Sequence, residues 1–171
     1  MEYNKLENKI KQYHIAYFDI LGYKSVFEDQ ESDIIEFLRG VINVCIETQL
    51  KALDHTRLLN EEFIVKSFSD NFMILVETPS GLSDYHIIKF LVGIVAQLQV
   101  KFLERYSILI RGGITKGEAY IDNNIVFGKG LIRAVELEDR YAVFPRIIID
   151  DDCFDQFTEF DTSGARRIRA D

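Results

Sequence analysis

The chain has 171 residues, of which 47% are hydrophobic, and its 20 Lys and Arg against 28 Asp and Glu give a net charge of −8. This length suits one domain over residues 1–171, and the hydrophobic content excludes an intrinsically disordered chain. The acidic balance argues against nucleic-acid binding, which needs a basic face, and no apolar run reaches the roughly 18 residues of a membrane span.

The first residues, MEYNKLENKIKQYH, contain no apolar signal core, so we expect a cytoplasmic protein. The two cysteines, Cys45 and Cys153, have neither the number nor the spacing of a disulfide framework or a metal site.

The order of apolar patterns predicts an α+β fold. Short runs rich in β-branched and aromatic residues predict strands, and helical spacing predicts helices. In chain order these are a strand over 13–21, a helix over 32–53, a hairpin over 62–68 and 72–77, a helix over 84–106, a strand over 107–115, a hairpin over 118–127, a helix over 128–139 and a strand over 146–150. This β-α-β-β-α-β order predicts a ferredoxin-like antiparallel sheet with helices packed on one face.

Two aspartates are candidate metal ligands. Asp19 lies in a strand with the pattern of a buried one, where an unpaired carboxylate is costly, and the nearby Gly22 lets a ligand approach the backbone. Asp70 lies at the tip of the first hairpin, where aspartate is also an ordinary turn residue. The first strand ends beside this tip in such a sheet, so the pair predicts an oxygen-rich site suited to Mg²⁺ or Mn²⁺.

Three segments resemble motifs of one known family. FDILGYKSVF (18–27) resembles the first metal motif of class III nucleotidyl cyclases, Phe-x-Asp-x-x-Gly-Phe. KSFSDNFMI (66–74) resembles their Lys-Thr-Ile-Gly-Asp hairpin. IRGGITKGEAYIDNNIVFGKGLIRAVELED (110–139) resembles their Arg-x-Gly-Ile-x-x-Gly segment and the helix that follows it. The three segments occur in the family's order, so the resemblance implies a class III nucleotide cyclase domain.

The resemblance also implies a catalytic site. Asp19 and Asp70 would be the catalytic carboxylates and, with the Ile20 carbonyl, would hold two divalent cations, Mn²⁺ or Mg²⁺. The turn over 20–23 would supply backbone amides to the phosphates, and Lys66 would contact the base. The substrate-binding positions implied in this way are Phe18, Leu21, Gly22, Tyr23, Lys66 and Arg111. One ion would activate the ribose 3′-hydroxyl for attack on the α-phosphorus, while the other would hold the triphosphate.

Sequence differences from the purine cyclases indicate which branch of the family this chain resembles. Ile125 occupies the position of the residue that recognises the purine base in those enzymes. Ile132 and Glu136 occupy the positions of the Asn and Arg of their last helix. The helix GKGLIRAVELED (128–139) is similar to that of the compact pyrimidine cyclases of bacterial antiphage defence. That branch implies a uridylate cyclase that forms 3′,5′-cyclic UMP and pyrophosphate. It also implies a homodimer with sites at the interface, and a separate effector that binds the cyclic nucleotide.

The expected base is uracil. Lys66 and Arg111 are donors only, which suits the O2 and O4 carbonyls of uracil. They would leave the amino group of cytosine unpaired, at a cost of about 1–3 kcal/mol. UTP is therefore expected over CTP.

Several alternatives stay open from the sequence. Arg111 can pair with an acidic neighbour, and Lys66 can be solvated. The chain can be a cytidylate cyclase, a purine cyclase with unusual base contacts, or an inactive cyclase-like module that binds a nucleotide or a protein partner.

Overall fold

The computed structural model describes residues 10–22, 63–78 and 83–154, and in addition residues 35–36, 39–40 and 43. The strands are β1 (Ile10–Leu21), β2 (Phe63–Phe68), β3 (Asn71–Glu77), β4 (Leu109–Ile121), β5 (Val126–Phe127) and β6 (Ile147–Ile149). The helices include α1 (Asp84–Tyr106) and α2 (Lys129–Glu136), and a π-helical turn (Leu137–Tyr141) continues α2.

One predicted helix falls largely outside these ranges. Of the helix predicted over 32–53, the described residues are 35–36, 39–40 and 43, and all of them are helical. Tyr23, one of the predicted substrate-binding residues, also lies outside the described residues.

The strands form one six-stranded sheet in the order β2-β3-β1-β4-β5, with β6 alongside β4. Every pair is antiparallel except that of β4 with β6. β1 lies at the centre, because it pairs with β4 along its whole length and with β3 over residues Tyr13–Asp19. The predicted α+β fold with an antiparallel sheet is confirmed.

β4 is longer than the sequence suggested. The strand predicted over 107–115 and the first strand of the second hairpin form one strand of 13 residues. The glycines within it do not end it, because each of them lies opposite a β1 residue in the ladder. Pairing with a long central strand therefore overrides the local tendency of glycine to break a strand.

One face of the sheet, called the α1 face below, packs against α1. Side chains alternate along a strand, so Ala16, Phe18 and Ile20 of β1 all point to this face and join the core beneath α1. The buried side chains of the helix are Ile87, Ile88, Leu91, Ile94, Val95, Leu98 and Phe102. Within the described part of the chain, one stretch, Asp84–Glu104, is long and apolar enough to cross a membrane by length and composition, with a mean hydropathy of 1.5. Of that apolar stretch, 39% is buried inside the fold.

The opposite face, called the α2 face below, is partly covered by α2. Ala134 of α2 packs against Tyr13 and Ile15 of β1. Gly113 allows this approach, because a Cβ atom there would lie 2.5 Å from the Leu137 Cβ and 2.9 Å from the Ala134 carbonyl oxygen. Helices therefore lie on both faces, whereas the sequence predicted them on one. The second docking surface is made of small residues, which give a weak apolar signal.

Candidate active site

The ends of β1 and β3 bring the two predicted aspartates together. Asp19 lies opposite Asn71 in the β1–β3 ladder, and Asp70 occupies the turn immediately before Asn71. The Ile20 N–H donates a hydrogen bond of 3.2 Å to the Asp70 carbonyl oxygen. The hairpin turn consists of Ser69 and Asp70, with Ser69 at a φ of 57°. Asn71, which the sequence predicted in the turn, is instead the first residue of β3.

The Asp19 side chain lies on the α2 face and meets Arg111, its cross-strand partner on β4. The Arg111 Nε donates to Asp19 Oδ1 at 3.1 Å, and Nη2 donates to Oδ2 at 3.2 Å. Glu138, in the π-helical turn, contacts the same nitrogen, with its Oε1 2.7 Å from Arg111 Nη2. That contact is an ion pair without hydrogen-bond alignment. These three residues, called the Asp19 cluster below, bring one guanidinium against two carboxylates that also lie close to each other.

Burial changes the protonation of this cluster. The Glu138 side chain is 8% exposed, and its burial, together with the nearby Asp19 carboxylate, raises its pKa to about 7. The hydrogen bonds to Asp19 raise the pKa of Arg111, so the guanidinium stays charged. Arg111 is therefore a permanent cation that faces the Asp19 carboxylate and the Glu138 carboxylate, and burial makes the second of these harder to ionise.

A hydrogen-bonded chain from Tyr17 leads to Asp70, and Tyr17 lies close enough to the Asp19 cluster to feel its charges. The Tyr17 hydroxyl donates to Asn71 Oδ1 at 2.5 Å, and Asn71 Nδ2 donates to Asp70 Oδ1 at 3.3 Å. Burial raises the pKa of Tyr17 to about 12, and the negative charges of Glu138, Asp19 and Asp70 contribute to the rise. Three carboxylates therefore surround Tyr17, and this local excess of negative charge suits the binding of a cation.

The predicted base-contacting lysine lies near the second hairpin. Lys66 projects from β2 on the α2 face, and its Nζ donates to the Asn123 carbonyl at 3.4 Å. The hairpin tip is fixed by Asp122 Oδ1, which accepts hydrogen bonds of 2.7 Å from the N–H groups of Asn124 and Ile125. The fold thus brings Lys66 to the tip that carries Ile125, the residue at the purine-reading position.

The other predicted substrate-binding residues lie in different environments. Phe18 is fully buried on the α1 face, where it stacks on Phe72 with ring centroids 5.5 Å apart. Its side chain therefore points away from the Asp19 cluster and, being fully buried, is not placed for the predicted contact with a substrate. Leu21 is half-buried at the end of β1, and Gly22 follows with a φ of 74°, a conformation that favours glycine.

The donor atoms at the aspartate pair fit a hard divalent cation. Asp19 and Asp70 offer carboxylate oxygens, and the oxygen-rich character suits Mg²⁺ or Mn²⁺. Within residues 10–22, 63–78 and 83–154, no three His, Cys, Asp or Glu side chains form a group able to hold a metal by themselves. A metal here would therefore complete its coordination with backbone, solvent or substrate oxygens.

Sequence reasoning missed Tyr17, Asn71 and Glu138. Tyr17 was within reach, because it lies two residues before Asp19 in the same strand and thus shares its face. Glu138 belongs to an acidic run at the end of a predicted helix, and helical periodicity does not show which of those acids turns towards the sheet.

Comparisons with solved structures confirm the fold. No protein family and no curated protein match the sequence. The catalytic core of a rhodopsin-guanylyl cyclase with converted specificity, in complex with ATPαS, superposes with a TM-score of 0.62 at 12% identity, covering 85% of this chain and 80% of the other. A class III adenylyl cyclase-like ATP-binding protein from Pseudomonas aeruginosa superposes with a TM-score of 0.50 at 13% identity, covering 86% of this chain and 35% of the other. At such identities the likeness establishes the fold, which is that of class III nucleotidyl cyclase catalytic domains.

Proposed function

We propose that the protein is a nucleotide cyclase that converts UTP to 3′,5′-cyclic UMP and pyrophosphate. The observation that carries the proposal is the pairing of Asp19 with Asp70, joined through the Ile20–Asp70 backbone hydrogen bond of 3.2 Å. Both aspartates occupy the positions that the cyclase resemblance implies for catalytic carboxylates. The fold shared with cyclase catalytic domains supports the same assignment.

Asp19, Asp70 and the Ile20 carbonyl would hold two divalent cations, Mg²⁺ or Mn²⁺. When bound, such ions lower the pKa of the ribose 3′-hydroxyl and neutralise charge on the triphosphate. The protein itself carries a net charge of −8, and a nucleoside triphosphate carries about four negative charges. Activity is therefore expected to depend strictly on the divalent cation.

The surrounding residues would position the reacting groups. Tyr17 and Asn71 fix the Asp70 carboxylate through hydrogen bonds of 2.5 and 3.3 Å. Gly22, with its φ of 74°, gives the turn after β1 a conformation open to close contact with phosphate oxygens. These contacts would hold the 3′-oxygen in line with the α-phosphorus, which is the main requirement for intramolecular cyclisation.

Base recognition is assigned to Lys66. Its ammonium group lies beside the hairpin tip that carries Ile125, and an ammonium donor suits the O4 or O2 carbonyl of uracil. Arg111 faces Asp19 and Glu138, so it would have to leave both carboxylates to reach a base. The predicted preference for uracil therefore depends on Lys66 more than on Arg111.

We also propose a homodimer with active sites at the interface. Large apolar side chains are exposed on β2 and around the second hairpin, with Phe68 80%, Ile125 53% and Phe127 66% accessible. Exposed apolar side chains of this size are available for contact with a second chain, Phe68 on the α2 face and Phe127 on the α1 face. A cytoplasmic location, a role in antiphage defence and a separate cyclic-nucleotide-binding effector follow from the resemblance to pyrimidine cyclases.

The test is incubation with each of the four ribonucleoside triphosphates and Mn²⁺, followed by mass spectrometry. We expect cyclic UMP from UTP. The absence of a cyclic product from all four nucleotides would refute the enzyme. Cyclic CMP as the main product would instead establish the cytidylate cyclase.

A second candidate is a nucleotide-binding module without turnover. It is favoured by the fold shared with a class III adenylyl cyclase-like ATP-binding protein and by the substitution of Ile132 and Glu136 for the helix residues of purine cyclases. Calorimetry with UTP and Ca²⁺ separates the two candidates, because the module would bind UTP while the turnover assay stays blank.

A further inference from the structure

Arg111 contacts two carboxylates at the site of the proposed metals. Its Nε and Nη2 reach the two Asp19 oxygens at 3.1 and 3.2 Å, and Nη2 also lies 2.7 Å from Glu138 Oε1. A guanidinium that bridges two acids can keep one of them when the other takes a new partner. This geometry suggests how Asp19 would exchange Arg111 for a metal ion. The inference drawn from it rests on the proposed function.

Partial burial strengthens the competition between Arg111 and a metal ion for Asp19. The side chains of Asp19, Arg111 and Glu138 are 16%, 25% and 8% exposed. Charges that are partly withdrawn from water interact much more strongly than exposed ones. Asp70 adds a further carboxylate near Tyr17, so the charges of three acids and of the Arg111 guanidinium all act on this tyrosine.

The position of Glu138 is set by packing. Leu137, the preceding residue, packs on Gly113 of β4, where a Cβ atom would lie only 2.5 Å from its own Cβ. Gly113 is two residues from Arg111 and points to the same face of β4. The contact between the π-helical turn and β4 therefore holds Glu138 beside Arg111 whether or not Asp19 is engaged.

We propose that Arg111 is the internal counter-cation of Asp19 and that Glu138 is a positioning residue that retains Arg111 when Asp19 binds a divalent cation. Without Glu138, Arg111 pairs with Asp19 alone, and a metal must displace it completely. Without Arg111, Asp19 loses the cation that competes with the metal. Substitutions at the two positions are therefore expected to change metal affinity in opposite directions.

The test measures binding of Mn²⁺ alone to the full chain, by the loss of the free Mn²⁺ electron paramagnetic resonance signal, without nucleotide. Glu138→Gln should weaken binding by roughly tenfold, and Arg111→Gln should strengthen it several-fold. Glu136→Gln is the matched control. It makes the same Glu-to-Gln change at the end of α2, where Glu136 pairs with Arg133 and Arg140 at 3.1 and 2.8 Å, and it should leave Mn²⁺ binding unchanged.

Arg111→Lys keeps the experiment decisive if Arg111→Gln does not fold. Lysine retains the charge but loses the two-pronged geometry, so Mn²⁺ affinity should stay within about threefold of the wild type. The inference is overturned if Glu138→Gln binds Mn²⁺ as the wild type does, if folded Arg111→Gln binds it more weakly, or if the wild type binds none.

The same variants separate this inference from the proposed function. If Mn²⁺ affinity shifts in opposite directions in the two variants but no cyclic product forms, the cyclase function is refuted. The exchange of Arg111 from Asp19 to Glu138 on metal binding, called the Arg111 exchange, is then still supported. A cyclic product with unshifted Mn²⁺ affinities would refute the exchange alone.

Discussion

Two polar clusters on opposite faces of the same strand pair differ in their balance of charge. On the α1 face, His14 of β1 lies opposite Lys116 of β4, and Asp84 at the start of α1 joins them. Lys116 Nζ lies 2.6 Å from one Asp84 oxygen, and His14 Nε2 lies 3.3 Å from the other. His14 Nδ1 also lies within hydrogen-bond distance, 3.1 Å, of Thr78 Oγ1. One carboxylate thus meets one lysine, and the cluster is balanced.

The Asp19 cluster likewise combines a β1 residue, its β4 partner and a residue from a helical element, but its charges do not balance. Asp19 lies opposite Arg111 in the same ladder, and Glu138 joins them from the π-helical turn. Here two carboxylates share one guanidinium, and Asp70 lies close by. The comparison teaches that paired charges in this sheet are structural where they balance, whereas an excess of acid marks the place that can accept a further cation.

Loss of an aspartate from the acidic cluster should have the largest effect. Asp70→Asn keeps the side-chain shape but removes a metal-binding charge, so cyclic-nucleotide formation should fall by more than about 10²-fold with the fold intact. The matched change in the balanced cluster is Asp84→Asn. It should lower stability by roughly 2–3 kcal/mol and leave turnover per folded molecule unchanged. Turnover and thermal unfolding measured on both variants check this, and activity that persists in Asp70→Asn would remove Asp70 from the site.

The balanced cluster should dominate the response to acid. His14 is fully buried, and burial lowers its pKa from 6.5 to about 4. Between these values the unfolded chain binds more protons than the folded one, so stability falls as the pH drops from 6.5 towards 4. The expected loss of unfolding free energy is up to roughly 3 kcal/mol.

Denaturant titrations of the wild type and His14→Leu at about pH 5 and about pH 7 isolate this term. The comparison with the variant is needed because Glu138, whose pKa is raised to about 7, acts in the opposite sense: its contribution is lost as the pH rises. A wild type and a variant with the same pH dependence would contradict the role given to His14.

The packing that holds Glu138 in place can be broken at Gly113. Gly113→Ala would place a Cβ atom 2.5 Å from the Leu137 Cβ, so we expect a loss of stability of about 2 kcal/mol and a weaker Mn²⁺ site. Gly93→Ala in α1 is the control, because a Cβ atom there meets nothing within 4 Å. The control should be neutral or stabilising by up to about 1 kcal/mol. Equal unfolding temperatures for the two variants would show that α2 does not depend on this contact.

The smallest expected effect is at Lys66. Lys66→Met removes the donor assigned to the base while leaving both clusters intact, so KM for UTP should rise by about tenfold with little change in kcat. Steady-state kinetics with UTP and CTP measure this. A fall in kcat at constant KM would place Lys66 in the chemical step instead of base recognition.

The sequence predicted the features that depend on local patterns. The β1–β3 adjacency of Asp19 and Asp70 follows from strand order, and α1 follows from its apolar spacing. Glu138 could not be predicted in the same way, because its contact with Arg111 depends on Gly113 and Leu137, which bring the π-helical turn against the sheet. The alternative in which Arg111 pairs with an acid was visible from the sequence, but its partners were not.

The central claim is that the acidic cluster supports cyclisation of a pyrimidine nucleotide. The most direct measurement is a competition in which the four ribonucleoside triphosphates are present together at equal concentration with Mn²⁺, and every cyclic product is quantified by mass. Cyclic UMP should be the main product, exceeding cyclic CMP by about tenfold. A mixture in which no cyclic nucleotide forms, or in which cyclic AMP or cyclic GMP predominates, would contradict the account.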